Sequence, residues 1–251
     1  MKVERRKPLT ANVGVISVGL DTYWSQFPGL MEEMEKKAGI FKEKLKKNSV
    51  KIFDFGMVDN PLRTYEVLPK IQAVDPDILF VDMVTYATSS TIGAIVREMN
   101  CPVVLVALQP LSAMDYVHAT TFMQLCNDDI CAVPEFTGVA VRIGKPVSDF
   151  IVGQLEGDAA ADKEISDWCR IAHVRHDLRK ARLGHMGHVL ESMLDMQTDP
   201  TALTSVFGCH IVSCEPDEVI GHFAALTADS PEVKKMSERI LEFFDTPDPV
   251  S

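Results

Sequence analysis

The first half of the chain contains short, continuous runs of apolar and β-branched residues, and these runs constrain the fold more than any other feature. Continuous apolarity, rather than strict alternation, indicates strands that are covered on both faces, as in a parallel sheet. The runs are VGVISV (13–18), VKIFDFGMV (50–58), DILFVDMV (77–84), CPVVLVAL (101–108) and, later, VSDFIVGQL (147–155). Helix-like segments separate them, so the pattern predicts an α/β fold with a doubly wound, Rossmann-like parallel sheet.

A second alternation of strands and helices is predicted after residue 176. Its strand-like runs are KARLGHMG (180–187) and CHIVSCEP (209–216), and a helical segment follows each of them. A stable parallel sheet normally needs three or more strands. We therefore expect residues 1–176 to form an amino-terminal α/β domain with substrate-contact loops. Residues 177–251 are expected to form the start of a central α/β domain that is truncated and therefore incomplete.

Composition argues against several classes of function. The net charge of −11 disfavours a nucleic-acid surface, because attraction to polyphosphate requires a basic face. No apolar run approaches the roughly 20 residues that cross a bilayer. The first residues lack the apolar core of a signal peptide, so neither a membrane partner nor export is expected and a cytoplasmic location is the default. The 6 cysteines form no CxxC pair, which favours reduced thiols over a zinc site or disulfides.

Polar and aromatic residues are concentrated in the loops that follow the predicted strands. In an open parallel sheet, ligands bind at the carboxyl ends of the strands. The loops there are GLDTYWSQFPG (19–29), MVDNP (57–61), VTYATSS (84–90) and ALQPLSAMDY (107–116). Hydroxyl, amide and aromatic groups favour a polyhydroxylated ligand, and the absence of GxGxxG argues against a dinucleotide. Tyr23 and Trp24 could contact that ligand or form an aromatic plug over the end of the sheet.

Acidic residues and histidines provide further candidates. The segment CNDDICAVPEF (126–136) carries the carboxylates Asp128, Asp129 and Glu135. These could bind a metal or act as acid and base, or they could be loop and cap residues. His185 and His188 follow a predicted strand and could contact a ligand, whereas His210, within an apolar strand, is predicted to be a core residue.

Motifs spread along the chain, in this order, resemble the L-arabinose isomerase family within the arabinose/fucose isomerase group. They are TYWSQFPGL (22–30), PEFTGVAVRIGKP (134–146) and, most specifically, LDMQTDPTALTSVFGCHI (194–211). The resemblance implies an aldose–ketose isomerase of carbohydrate metabolism that uses a divalent metal, usually manganese, and passes a proton through an enediol. It also implies that the catalytic residues and the Mn²⁺ ligands lie beyond Ser251, with no metal ligand in this chain.

The loop chemistry and the resemblance together predict the residues that contact substrate. They are Tyr23, Trp24, Gln26, Tyr86, Asp128, Cys131, His185 and Met186. Cys131 stands where many arabinose isomerases carry a histidine, so the sugar itself is not assigned. The partners implied are a monosaccharide substrate and further copies of the chain, in a homo-oligomer (a trimer or hexamer) whose site is shared between subunits.

Two other functions are compatible with the same residues. One is a non-catalytic sugar-binding or regulatory module, which is favoured if the natural chain ends at Ser251. The other is a metal-free, racemase-like enzyme on a related scaffold. That enzyme would need opposed acid/base groups across a cleft, for which Cys131 and Cys209 are the candidates.

Overall fold

The computed structural model describes residues 10–244 and divides the chain into two compact units, one ending at Leu178 and the other beginning at Arg179. The predicted boundary lay between residues 176 and 177. The first unit contains a five-stranded parallel sheet flanked by helices, and the second contains a two-stranded parallel sheet. The predicted α/β class with a doubly wound parallel sheet is therefore confirmed.

The strands of the first unit coincide with the continuous apolar runs of the sequence. They are β1 (Asn12–Val18), β2 (Lys51–Val58), β3 (Ile78–Met83), β4 (Val103–Gln109) and β5 (Asp149–Gln154). Their order across the sheet is β2-β1-β3-β4-β5, and every neighbouring pair is parallel. Because β1, β3 and β4 lie in the centre and are covered on both faces, their residues are almost all buried.

Helices cover both faces of this sheet. They are α1 (Asp21–Gln26), α2 (Leu30–Lys46), α3 (Pro61–Val74), α4 (Gly93–Glu98), α5 (Thr121–Cys126), α6 (Val133–Arg142) and α7 (Ala159–Lys180). α2 and α7 pack on one face, where Phe41 meets Phe80 edge to face, and α3, α4 and α6 pack on the other, around Phe136. The loop after β1 contains the short helix α1. In residues 10–244, no helix combines the length and apolar character of a membrane span.

The second unit has a small core. Its strands are β6 (Arg182–Met186) and β7 (His210–Cys214), and its helices are α8 (Pro200–Phe207), α9 (Pro216–Ala224) and α10 (Pro231–Phe243). Among its described residues, Cys209 is the one buried apolar side chain. His210 is exposed, so its prediction as a core residue is wrong. The physical reason is that so small a sheet is not enclosed on both faces.

Candidate functional site

A crevice at the carboxyl ends of β1 and β3 is the position where a sheet of this strand order binds ligands. The chain turns to opposite sides of the sheet after these two strands, which opens a gap between the loops that follow them. Tyr23 lies in α1 directly after β1, and Tyr86 follows β3. Burial raises the pKa of Tyr86, and Glu135, Cys131 and Tyr23 raise it further. The fold thus brings two predicted contact residues together.

Glu135, in the first turn of α6, is exposed and contacts the loop that follows β3. Its Oε1 accepts a hydrogen bond from the backbone N–H of Ser89 at 2.7 Å, and its Oε2 accepts one from the hydroxyl of Tyr86 at 3.4 Å. The hydrogen bonds from Ser89 hold the pKa of Glu135 below its ordinary value. Glu135 is therefore a fixed carboxylate at neutral pH, and it orients the Tyr86 hydroxyl.

Asp128 and Cys131 lie in the connection between α5 and α6 and complete the cluster. Burial raises the pKa of Tyr23, and the Asp128 carboxyl and the Cys131 thiol, which interact electrostatically with that phenol, raise it further. Burial also raises the pKa of Asp128. For the thiol of Cys131, burial and then the neighbouring Asp128 carboxyl raise the pKa to about 11. The thiol is consequently protonated near neutral pH and is a poor nucleophile.

Trp24 makes its polar contact within the protein. Its indole Nε1–H donates a hydrogen bond to Asp59 Oδ2 at 2.7 Å, which ties α1 to the end of β2. The indole also lies directly over Gly19, where a Cβ atom would meet the ring at 2.8 Å. These contacts support the plug alternative, and contact between the half-buried indole and a ligand stays a prediction. Gln26, the last residue of α1, is exposed.

Side chains from neighbouring segments hold the end of α5 and the start of the α5–α6 connection, just before Asp128. The carbonyl oxygen of Leu125 accepts a hydrogen bond from Thr85 Oγ1 at 2.8 Å. The carbonyl oxygen of Asn127 accepts one from Gln109 Nε2 at 2.7 Å. Because Thr85 follows β3 and Gln109 ends β4, the sheet anchors the chain just before Asp128.

A buried charge network beneath the crevice was not predicted from the sequence. Lys37 of α2 donates to Asp129 Oδ1 at 2.6 Å, and Asp82 of β3 lies nearby, with its Oδ2 accepting from Ser17 Oγ at 3.2 Å. Burial raises the pKa of Asp82 and of Asp129 to about 7, although Lys37 opposes both shifts. Lys37 interacts electrostatically with both acids, and burial favours their neutral forms.

The sequence does contain a signal for this network. Lys37 occupies the same face of α2 as the buried Met34 and Phe41, and a charged residue at such a position needs a buried partner. Asp82 likewise interrupts a continuous apolar run. Asp129 is 1% exposed, whereas Asp128 is partly exposed beside the tyrosines, so adjacent aspartates have different environments.

A cavity of about 530 Å³ adjoins the cluster at the end of β4. Its polar lining is made of amides and hydroxyls, from Gln109, Ser112, Tyr116, Thr120, Thr121, Gln124 and Asn127. None of the described residues that line it is charged. Such a lining can pair with many hydroxyl groups, since each amide and hydroxyl offers both donors and acceptors.

The remaining predicted contacts lie in the second unit. His185 and Met186 belong to β6, and Met186 is 61% exposed. A cavity of about 580 Å³ within this unit is lined by His185, His188 and Ser213 together with apolar side chains. His185 and His188 therefore share a cavity, and their contact with a ligand stays a prediction.

The described residues do not fit a manganese ion. Within residues 10–244, no group of three or more His, Cys, Asp and Glu side chains is arranged to hold a metal. Asp129, one of the acids considered as a ligand, is paired with Lys37 instead. The manganese implied by the resemblance accordingly has no assigned ligands here.

Comparison with known protein families and with curated proteins gave no match to this chain. The resemblance to the arabinose/fucose isomerase group rests on the motifs quoted above and stays a prediction. The function of the chain is inferred from the chemistry of its crevice.

Proposed function

We propose that this chain is the sugar-contacting part of an aldose–ketose isomerase of the arabinose/fucose isomerase type. One observation carries the proposal. The loops after β1, β3 and β4 bring aromatic, hydroxyl and amide groups together at the switch point of the sheet, beside a cavity without charged lining. A neutral monosaccharide matches this lining, because its hydroxyls need paired donors and acceptors and its carbon face packs on aromatic rings.

The residues of this chain would bind and orient the sugar. Tyr23 and Tyr86 offer hydroxyls that remain protonated at neutral pH, since burial raises the pKa of both. The ionised Glu135 fixes Tyr86, and Asp128 offers a partly exposed carboxyl to a sugar hydroxyl. The resemblance implies that Mn²⁺ and its ligands belong to another part of the enzyme. No step of the reaction is assigned to a metal in this chain.

A racemase-like reaction has less support. Cys131 would have to act as a thiolate base, yet partial burial and Asp128 raise the pKa of its thiol to about 11. Its suggested counterpart, Cys209, is 1% exposed within the second unit. Reactive cysteines require surroundings that are both electropositive and accessible. Cys131 is exposed but lies beside carboxylates, and Cys209 is buried.

Ligand-observed NMR with a panel of aldoses tests the proposal. We expect weak binding of a neutral aldose, and Tyr23→Phe should weaken it by about three- to tenfold, as expected for one lost hydrogen bond. Tyr65→Phe is the matched control, because Tyr65 is exposed on α3 and outside the cluster. The proposal is wrong if no aldose binds, or if both variants bind like the original protein.

A non-catalytic sugar-binding module is the second candidate. It is favoured by Glu135, whose two oxygens already accept hydrogen bonds from within the protein. The two functions differ in proton exchange at the carbon next to the carbonyl. In the complete protein, an isomerase incorporates deuterium there in heavy water, whereas a binding module does not. From the resemblance, we expect the chain alone, with added manganese, to convert no aldose to ketose; conversion by this chain would assign the chemistry to its own residues.

A further inference from the structure

Lys37 has a position that no sugar contact explains. It is 6% exposed and lies beneath the crevice, on the buried face of α2. Its Nζ donates to the carbonyl oxygen of Val84 at 2.6 Å, to that of Cys126 at 2.9 Å and to Asp129 Oδ1 at 2.6 Å. An ammonium group has three N–H donors, so all of them are used.

The acceptors around Lys37 come from different segments of the chain. Val84 follows β3, Cys126 ends α5, and Asp129 lies in the α5–α6 connection. A single side chain therefore joins α2 and the end of β3 to the segment that carries Asp128 and Cys131. We propose that Lys37 is the positioning residue of this crevice, a built-in cation that holds Asp128 and Cys131 in place beside the tyrosines.

The charge balance around Lys37 supports this role. Its surroundings are rich in oxygen acceptors, including the buried carboxyls of Asp82 and Asp129. Asp129 Oδ2 accepts no hydrogen bond from the described residues. A neutral side chain at position 37 would leave both carbonyl groups and Asp129 without their donor, and unpaired buried acceptors are costly.

Loss of Lys37 should affect the connection locally. Thr85 and Gln109 would still hold the carbonyl groups of Leu125 and Asn127. The contacts to Cys126 and Asp129 would be lost, and these residues lie on either side of Asp128. Asp128 would then move away from Cys131 while the sheet keeps its order.

The reactivity of Cys131 reports this movement. Cys131 is exposed, and Asp128 is one cause of its raised pKa. If the pKa of the thiol falls by about one, the thiolate fraction near neutral pH rises about tenfold. The less basic thiolate is about threefold less nucleophilic, so the net rate of alkylation rises about threefold. We expect iodoacetamide to alkylate Cys131 about three times faster in Lys37→Ala, as followed by peptide mass spectrometry.

Two internal comparisons separate positioning from loss of structure. Lys36→Ala is the matched control, because Lys36 is exposed and pairs with Glu33 on the surface of the same helix. Its Cys131 should react at the original rate. Cys101, whose pKa is raised to about 11 mainly by burial, reports the rest of the unit and should not change. Propylammonium, which can replace the missing cation, should restore slow alkylation of Cys131 in Lys37→Ala.

The outcomes are distinct. An unchanged rate for Cys131 in folded Lys37→Ala overturns the proposal, and so does equal acceleration of Cys101 and Cys131. If Lys37→Ala does not fold, Lys37→Met combined with Asp129→Asn removes both charges of the pair, and such replacements are often tolerated. In that variant, iodoacetamide should also alkylate Cys131 faster than in the original protein and Cys101 at the original rate. An unchanged alkylation rate for Cys131 would refute the proposal. The role of Lys37 rests on the crevice of the proposed function. Because Cys131 alkylation is measured without sugar, the role of Lys37 and the binding of sugar can each be refuted independently.

Discussion

Replacing Asp82 by asparagine should remove a pH dependence of stability that the buried network creates. Asp82 is 4% exposed in the centre of the sheet and faces Lys37, Asp129 and the hydroxyl of Ser17, with Lys42 and Asp54 further away. Burial raises its pKa from 3.8 to about 7. Asparagine has nearly the same shape and cannot ionise, so the variant isolates the effect of the charge.

The sign and the size follow from proton linkage. Between about pH 4 and pH 7 the folded protein holds a proton on Asp82 that the unfolded chain has released, so the free energy of unfolding falls as the pH rises through this range. For a folded-state pKa near 7, the free energy of unfolding should fall by about 2.5 kcal/mol between about pH 5 and pH 8. Asp82→Asn should remove this contribution of Asp82, whereas the contribution of Asp129, whose pKa is raised mainly by burial, remains in both proteins.

Urea unfolding at a series of pH values measures the effect. Tryptophan fluorescence follows the first unit specifically, because Trp24 and Trp168 both lie in it. Relative to the original protein, the free energy of unfolding of Asp82→Asn should increase by about 2.5 kcal/mol between about pH 5 and pH 8. Asp167→Asn is the control, because a hydrogen bond from Lys163 lowers the pKa of this exposed acid and keeps it ionised throughout.

Parallel stability curves for Asp82→Asn and the original protein would refute this reasoning. They would mean that Asp82 is already ionised in the folded protein at about pH 5, with Lys37 fully compensating the burial. Asp82 would then hold no proton at neutral pH, and the charge balance around Lys37 would need to be reconsidered.

Other predictions concern single residues of the crevice. Trp24→Phe removes a hydrogen bond to a carboxylate and should lower the free energy of unfolding by about 2 kcal/mol in urea titrations, with sugar affinity preserved; a loss of affinity alone would contradict the plug role. Asp128→Asn should lower the pKa of Cys131 and speed its alkylation about threefold, and an unchanged rate would mean that burial alone sets that pKa. Glu135→Gln should lower the pKa of Tyr86, measured by ultraviolet titration of the phenol, and no change would show that the carboxylate lies too far away.

The sheet was predictable because its signal is local. Strands covered on both faces must be apolar at consecutive positions, and the runs around Val15, Phe80 and Leu105 have this property. The parallel arrangement then fixes which loops share an edge. The sequence accordingly predicts that Tyr23 and Tyr86 lie near one another.

The hydrogen-bond partners at that edge were not predictable in the same way. Trp24 donates to Asp59, 35 residues away, and Lys37 pairs with Asp129, 92 residues away. Nothing in the local pattern distinguishes Asp128 from Asp129, because both occupy the same polar loop. His210 was misassigned for a related reason, since an apolar run does not show whether a second layer covers its strand.

The sequence by itself determined the α/β architecture, the order of its elements and the loops that line the carboxyl edge, because these depend on periodicity and chain connectivity. Only the tertiary structure decided which side chains in those loops remain available to a ligand. Trp24 and Asp129 are engaged within the protein, whereas Tyr23, Tyr86 and Asp128 border the crevice. The physical reason is that a buried polar group must find a partner, and packing between distant segments determines which partner is within reach.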